Sequence, residues 1–138
     1  MAILGRRALP THIRMGSSDA RMSPLSIILP THDAAPTIRK AIQSLLDQTW
    51  SDFEILIVDD ASTDETLSIV RSFKDQRIHI LSNSNHRGMA ACLNQGMRES
   101  KGEWIVRMDA DDQSLPLRLE KQFQYLHRHP QVDVLGTS

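Results

Sequence analysis

Trp104-Ile105-Val106-Arg107-Met108-Asp109-Ala110-Asp111-Asp112 joins an apolar run to an acidic one without a break. Trp104, Ile105, Val106 and Met108 are bulky or β-branched, the composition of a short buried strand. Three carboxylates follow at once, and Gln113-Ser114-Leu115-Pro116 turns the chain away. Carboxylates packed this closely repel one another unless a hard cation or a set of donors neutralises them. An all-oxygen ligand set favours Mg²⁺, Mn²⁺ or Ca²⁺ over zinc. Asp109 and Asp111 stand two apart, which in extended backbone places them on one side. The plainer alternative is a solvated acidic turn, with Asp112 or Ser114 capping the next helix.

Working outward, the same pattern of apolar run and polar ending recurs. Leu25-Ser26-Ile27-Ile28-Leu29 predicts a buried strand closed by Pro30-Thr31-His32-Asp33. A helix is expected next, with Pro36 in its first turn and Ile38, Ala41, Ile42, Leu45 and Leu46 on one stripe. Residues 53–58 predict a second strand, ending in Asp59-Asp60. Ser62-Thr63-Asp64-Glu65 fits the S-x-x-E capping box, so a helix is expected from there to Lys74. Residues 77–81 predict a third strand, in which His79 alternates with Ile78 and Ile80 as an edge residue. Gly88 to Ser100 reads as a helix with Met89, Leu93, Gly96 and Met97 inward and Gly102 just past its end. Pro116 to His129 reads as another, buried through Leu119, Phe123 and Leu126, with His127 and His129 at its end; residues 132–136 predict a last strand.

Strands alternating with helices at short spacing imply an α/β domain: a mostly parallel, Rossmann-like sheet with helices on both faces. The 138 residues suffice for one domain with a real core. Residues 1–23 stand apart, because Arg6, Arg7, Arg14 and Arg21 face only Asp19 and no periodicity holds. They are expected to form a basic, disordered leader, leaving 24–138 as the folded part. Sixteen Lys and Arg against 17 Asp and Glu give a net charge of −1, so no global field draws in nucleic acid. One cysteine, Cys92, excludes an internal disulfide and a zinc–cysteine cluster and fits a reducing compartment. The expected location is cytoplasmic, free or peripheral at the inner membrane surface, since the apolar run 25–29 is far too short to span a bilayer. Cys92 itself, between Ala91 and Leu93, is expected to be a small buried hydrophobe. Trp50 and Trp104 are expected to pack.

In parallel sheets ligands bind beyond the carboxyl ends of the strands. Thr31-His32-Asp33, Asp59-Asp60 and Asp109-Ala110-Asp111-Asp112 all fall at such ends and are predicted to share one edge. The segment 30–36 holds no glycine, which excludes a dinucleotide fingerprint or a P-loop. A bound diphosphate then needs another counter-charge, and a cation on Asp109 and Asp111 supplies one. Asp60 is placed to accept the N3–H of a base such as uracil, and His32 offers a flat ring to stack on it.

Leu25 to Asp33 followed by Ile57-Val58-Asp59-Asp60-Ala61-Ser62-Thr63-Asp64 resembles the opening of the family 2 inverting glycosyltransferases. Asn85-His86-Arg87-Gly88-Met89-Ala90-Ala91-Cys92-Leu93-Asn94, Gly102-Glu103-Trp104 and Asp109-Ala110-Asp111-Asp112 follow in the family's order. The resemblance covers residues 24–138 and implies the amino-terminal, donor-binding part of a GT-A fold. It implies a nucleotide-diphospho-sugar donor, often a UDP-sugar, and an unknown saccharide, lipid or protein acceptor. Pro30, Thr31, His32, Asp33, Asp60 and Asp109 would hold the nucleotide, Arg87 or Arg107 would approach the phosphates, and Asp109 with Asp111 would hold Mg²⁺ or Mn²⁺. His32 stands where the family often has an aromatic residue. The implied reaction is direct displacement at the anomeric carbon, with a carboxylate deprotonating the acceptor hydroxyl. In the family that base lies in a segment later than residue 138, so no catalytic residue is assigned. The acceptor-binding half is expected to be missing as well, and an unpaired sheet edge left by that truncation is a route to self-association.

Two other functions fit parts of the pattern. A non-catalytic nucleotide-sugar-binding module would need the same donor site and no base. A phosphoacceptor receiver domain also sets carboxylates and Mg²⁺ on such a sheet. It expects its acidic pair after the first strand, where this chain has Thr31-His32-Asp33.

Overall fold

All seven residues of β2 (Leu25–Thr31) and all eight of β3 (Phe53–Asp60) are buried, so both strands are covered on each face. That is the physical counterpart of their near-continuous apolar sequence. The computed structural model describes residues 2–6 and 25–129. Around β2 and β3 lie β1 (Ala2–Arg6), β4 (Ile78–Asn83) and β5 (Trp104–Arg107), in the order β1-β5-β2-β3-β4. Strands β5, β2, β3 and β4 run parallel, and β1 pairs antiparallel with β5. The helices are α1 (Ile38–Leu46), α2 (Thr66–Ser72), α3 (Met89–Glu99) and α4 (Arg118–Arg128).

Two apolar clusters divide the sheet by strand alternation. Leu25, Ile27, Leu29, Ile55, Ile57 and Val106 pack with Ile38, Ile42 and Leu45 of α1, Val70 of α2 and Leu119 and Leu126 of α4. Ile28, Leu56, Val58 and Ile105 point to the opposite face and meet Cys92 of α3. The chain steps outward from β2 through β3 to β4, then returns to put β5 on the other side of β2. That reversal marks the switch point at which parallel sheets open a crevice.

Several expectations change in detail. The strand Ala2–Arg6 belongs to the sheet, pairing Ala2 with Arg107 and Arg6 with Trp104, although the sequence set residues 1–23 outside the fold. Helix α2 starts at Thr66 with Glu65 as its N-cap and no side-chain cap bond; Ser62 is bound to Asp59 instead, and the Asp64 carboxylate accepts the Thr66 backbone N–H at 2.9 Å and the Thr66 hydroxyl. In α3 Gly96 is buried and Leu93 packs against the core as expected, with Cys92 buried beside them, while Met89 and Met97 are 48% and 36% exposed. At Gly96 the helix approaches Ile28 so closely that a Cβ there would lie 2.6 Å from Ile28 Cγ2. Helix α4 begins at Arg118, with neither Asp112 nor Ser114 as its cap. His79 is exposed on β4, an edge of the described sheet, and Trp50 stacks on Phe123 at 4.7 Å between centroids. The strand predicted over residues 132–136 lies outside the described residues.

Candidate functional site

Asp59 and Asp60 are neighbours on β3, so their side chains leave opposite faces of the sheet. The Asp59 carboxylate accepts the Ser62 hydroxyl at 2.6 Å and the Ser62 N–H at 3.3 Å, which fixes the loop after β3. Asp60 turns towards the start of α3. Its Oδ1 accepts the Arg87 N–H at 2.8 Å and the Asn83 amide at 3.3 Å; its Oδ2 accepts the Gly88 N–H at 2.8 Å and lies 3.0 Å from His86 Nδ1. Burial alone would push this carboxyl up. The donors from Arg87, Gly88 and Asn83 outweigh it and lower the pKa to about 2. Gly88 adopts φ 95°, a backbone that side chains disfavour, and this lets its N–H face the carboxylate as α3 begins.

The segment after β2 is locked to the segment after β3. Asp33, itself at φ 46°, accepts the Thr63 N–H at 2.7 Å and the Asp64 N–H at 3.3 Å, and its own N–H donates to Ser62 Oγ at 2.9 Å. Thr66 Oγ1 accepts the Ala34 N–H at 2.8 Å and Asp64 the Ala35 N–H at 3.1 Å. His32 donates from Nδ1 to the Asp60 carbonyl at 2.7 Å, since only the ring can carry that hydrogen. Its ring stands at the carboxyl ends of β2 and β3.

Beyond β5 the Met108 N–H still bonds to the Ile28 carbonyl at 3.1 Å, and a turn then closes with the Asp112 N–H on the Asp109 carbonyl at 3.0 Å. The turn, rather than strand alternation, gathers the carboxylates. One oxygen from each of Asp109, Asp111 and Asp112 lies within 4.8 Å of the others. Asp109 Oδ1 also takes Arg107 Nε at 3.2 Å and Nη2 at 3.1 Å, which offsets part of the charge. An all-carboxylate set on a partly exposed turn suits a hard cation of the Mg²⁺ or Mn²⁺ kind. Gln48 anchors the segment that follows: its amide donates to the Leu115 carbonyl at 2.7 Å and its oxygen accepts the Leu119 N–H at 3.1 Å.

These three strand ends open onto one cleft of about 610 Å³. Pro30, Thr31, His32, Asp33, Asp60, Asp109 and Asp111 all line it, as does Arg107. Arg87 does not; it contributes its backbone N–H to Asp60 while its side chain is exposed. The structure adds His86, Gly88, Met89 and Cys92 to the lining. Periodicity marks none of these as site residues; only the proximity of the segment 85–94 to Asp60 does. Cys92 is 1% exposed, and burial together with the Asp60 charge pushes its thiol up to about 11, as befits an inert packing residue.

The chain matches the family model described as Glycosyl transferase family 2 over residues 26–138. It is 36% identical over 102 residues to WfgD of Escherichia coli, named a UDP-Glc:alpha-D-GlcNAc-diphosphoundecaprenol beta-1,3-glucosyltransferase, covering 74% of this chain and 40% of that one. Among solved structures, S. aureus TarS in complex with UDP-GlcNAc superposes with a TM-score of 0.73 at 27% identity, over 76% of this chain and 31% of that one. The mannosyltransferase PcManGT of Pyrobaculum calidifontis, in complex with GDP-Man and Mn²⁺, gives 0.68 at 28% identity, over 84% and 37%. The chain spans about two fifths of the length of the curated relatives it matches. With a GT-A, Rossmann-like sheet whose acidic strand ends meet in one cleft, this chain belongs to glycosyl transferase family 2.

Proposed function

We propose that the cleft is the donor site of a glycosyltransferase that takes a nucleotide-diphospho-sugar, a UDP-sugar in the first instance, and transfers the sugar with inversion. The observation that carries this is the convergence of His32, Asp60, Asp109 and Asp111 on one cleft from three separate strands. His32 and Asp60 offer a ring face and an acceptor to the base. Asp109 and Asp111, with Asp112 beside them, would hold Mg²⁺ or Mn²⁺, which supplies charge neutralisation for the departing diphosphate. Arg107, beside Asp109 and on the cleft wall, is placed to meet phosphate oxygens, a role the exposed Arg87 side chain does not share. Pro30, Thr31 and Asp33 line the cleft beside His32. The named ligands of TarS and PcManGT, UDP-GlcNAc and GDP-Man, support the donor class. No helix among the described residues is long and apolar enough to cross a membrane.

The test is calorimetric titration of UDP with and without Mn²⁺ into the wild type and Asp111→Asn. Binding that requires metal and is lost in the variant supports the site. Binding indifferent to metal in both proteins refutes it. Hydrolysis of a UDP-sugar, or transfer to an added acceptor, separates catalysis from binding alone.

A further inference from the structure

The position assigned above to the base edge is already taken by a side chain of the protein. A carboxylate offers about four lone-pair sites; Arg87 N–H, Gly88 N–H and Asn83 Nδ2 donate to Asp60, the Cys92 thiol is a further partner, and His86 Nδ1 lies 3.0 Å from Oδ2. An ionised carboxylate only accepts, so the His86 nitrogen facing it carries a hydrogen. The His86 ring also lies against His32, with centroids 4.5 Å apart and planes tilted by 54°. The two groups assigned to the base, the Asp60 carboxylate and the His32 ring, are therefore both met by one imidazole, 3.0 Å from Asp60 Oδ2 and tilted against the His32 ring.

The other three donors are fixed. Gly88 and Arg87 present backbone N–H groups at the start of α3, where the Gly88 carbonyl accepts the Cys92 N–H at 3.1 Å. Asn83 sits on β4 in register with Asp60. His86 is different: it belongs to the connection between β4 and α3, and its side chain is 61% exposed.

We propose that His86 is a built-in mimic of the nucleobase, which a donor must displace from Asp60 and His32 in order to bind. This rests on the assignment of Asp60 as the base acceptor. The exchange selects for the ring that replaces the imidazole. Uracil N3–H or guanine N1–H restores the hydrogen bond to Asp60, whereas cytosine presents an unprotonated N3 to a carboxylate and cannot. His86 thus sets donor affinity, while Asp60 sets base specificity.

The experiment is calorimetric titration of UDP and CDP, at one Mn²⁺ concentration, into the wild type, His86→Ala and Asp60→Asn, with the His86 ring-proton resonances followed by NMR. Removing the competitor should tighten UDP binding by about three- to tenfold. CDP should stay weaker than UDP in both the wild type and His86→Ala, and saturating UDP should shift the His86 resonances. UDP binding that is unchanged or weaker in His86→Ala, or His86 resonances unmoved at saturation, overturns the proposal. Asp60→Asn separates the two levels: if it binds UDP as the wild type does, the base-acceptor assignment itself fails. If it loses UDP while His86→Ala gains nothing, only the mimic fails.

Discussion

Ser26→Ala tests what holds β5, and with it the acidic turn, against the rest of the sheet. The Ser26 hydroxyl donates to Glu54 Oε2 at 2.5 Å and accepts the Gly102 N–H at 2.8 Å, while the Lys101 N–H reaches the same Glu54 oxygen at 2.6 Å. Ser26 is fully buried and Glu54 is 7% exposed, so water cannot replace the lost partner. Alanine strands the Gly102 N–H, at about 1–3 kcal/mol, and removes a donor from a buried carboxylate, at about 1.5–3 kcal/mol. Both effects pass through one atom and are not additive, so a loss of about 2–4 kcal/mol is expected. At about 3–4 °C per kcal/mol for a chain of this length, the midpoint should fall by roughly 6–16 °C. Urea unfolding followed by fluorescence is the assay, with the buried Trp104 of β5 as a reporter and an unchanged slope as the check on cooperativity. A cycle with Glu54→Gln should show coupling of about 1 kcal/mol or more. Because Ser26 lies at the amino end of β2, away from the cleft, UDP affinity well below the midpoint should not change. A destabilisation under about 0.5 kcal/mol, the usual range of a surface change, would refute the reasoning.

Gly96→Ala should destabilise by about 1–3 kcal/mol, measured by the same unfolding, because its Cβ would press on the buried Ile28 with contacts of 2.6, 3.2 and 3.3 Å. Cys92, with its thiol raised to about 11 from an ordinary 9.0, should react with a disulfide reagent at pH 8 about 100-fold more slowly in the native protein than in urea, or slower still given its burial. The Asp60 pKa is lowered from 3.8 to about 2, so its share of stability is fully present above about pH 4 and is lost as pH falls towards 2. Asp60→Asn should therefore flatten part of that acid arm in unfolding measured from pH 5 to pH 2, and an arm identical to the wild type's would count against the cradle.

The chain's own letters determined its strands and their polar endings. Leu25–Leu29 and residues 53–58 are apolar at successive positions, which only a strand covered on both faces tolerates, and each ends where polar residues begin. From that alternation alone came the parallel sheet, and from the sheet rule the shared edge of His32, Asp60, Asp109 and Asp111. Local pattern was a poorer guide to helix faces: the methionines of α3 suggested an inward stripe, whereas Cys92 and Gly96 are buried with Leu93 beside them and both methionines are exposed. It was silent on the division of labour between Asp59 and Asp60, since adjacent residues look alike in sequence and diverge only when each side of the strand acquires a different neighbour. The strand Ala2–Arg6 likewise has no periodicity to announce it, and exists because β5 offers it a free edge. Tertiary structure alone brought His86 onto Asp60 and His32. Hydrophobic periodicity is written along the chain, whereas a hydrogen bond between a strand end and a distant connection depends on how the sheet stacks them. That is why the elements could be read beforehand and the approach of His86 to Asp60 could not.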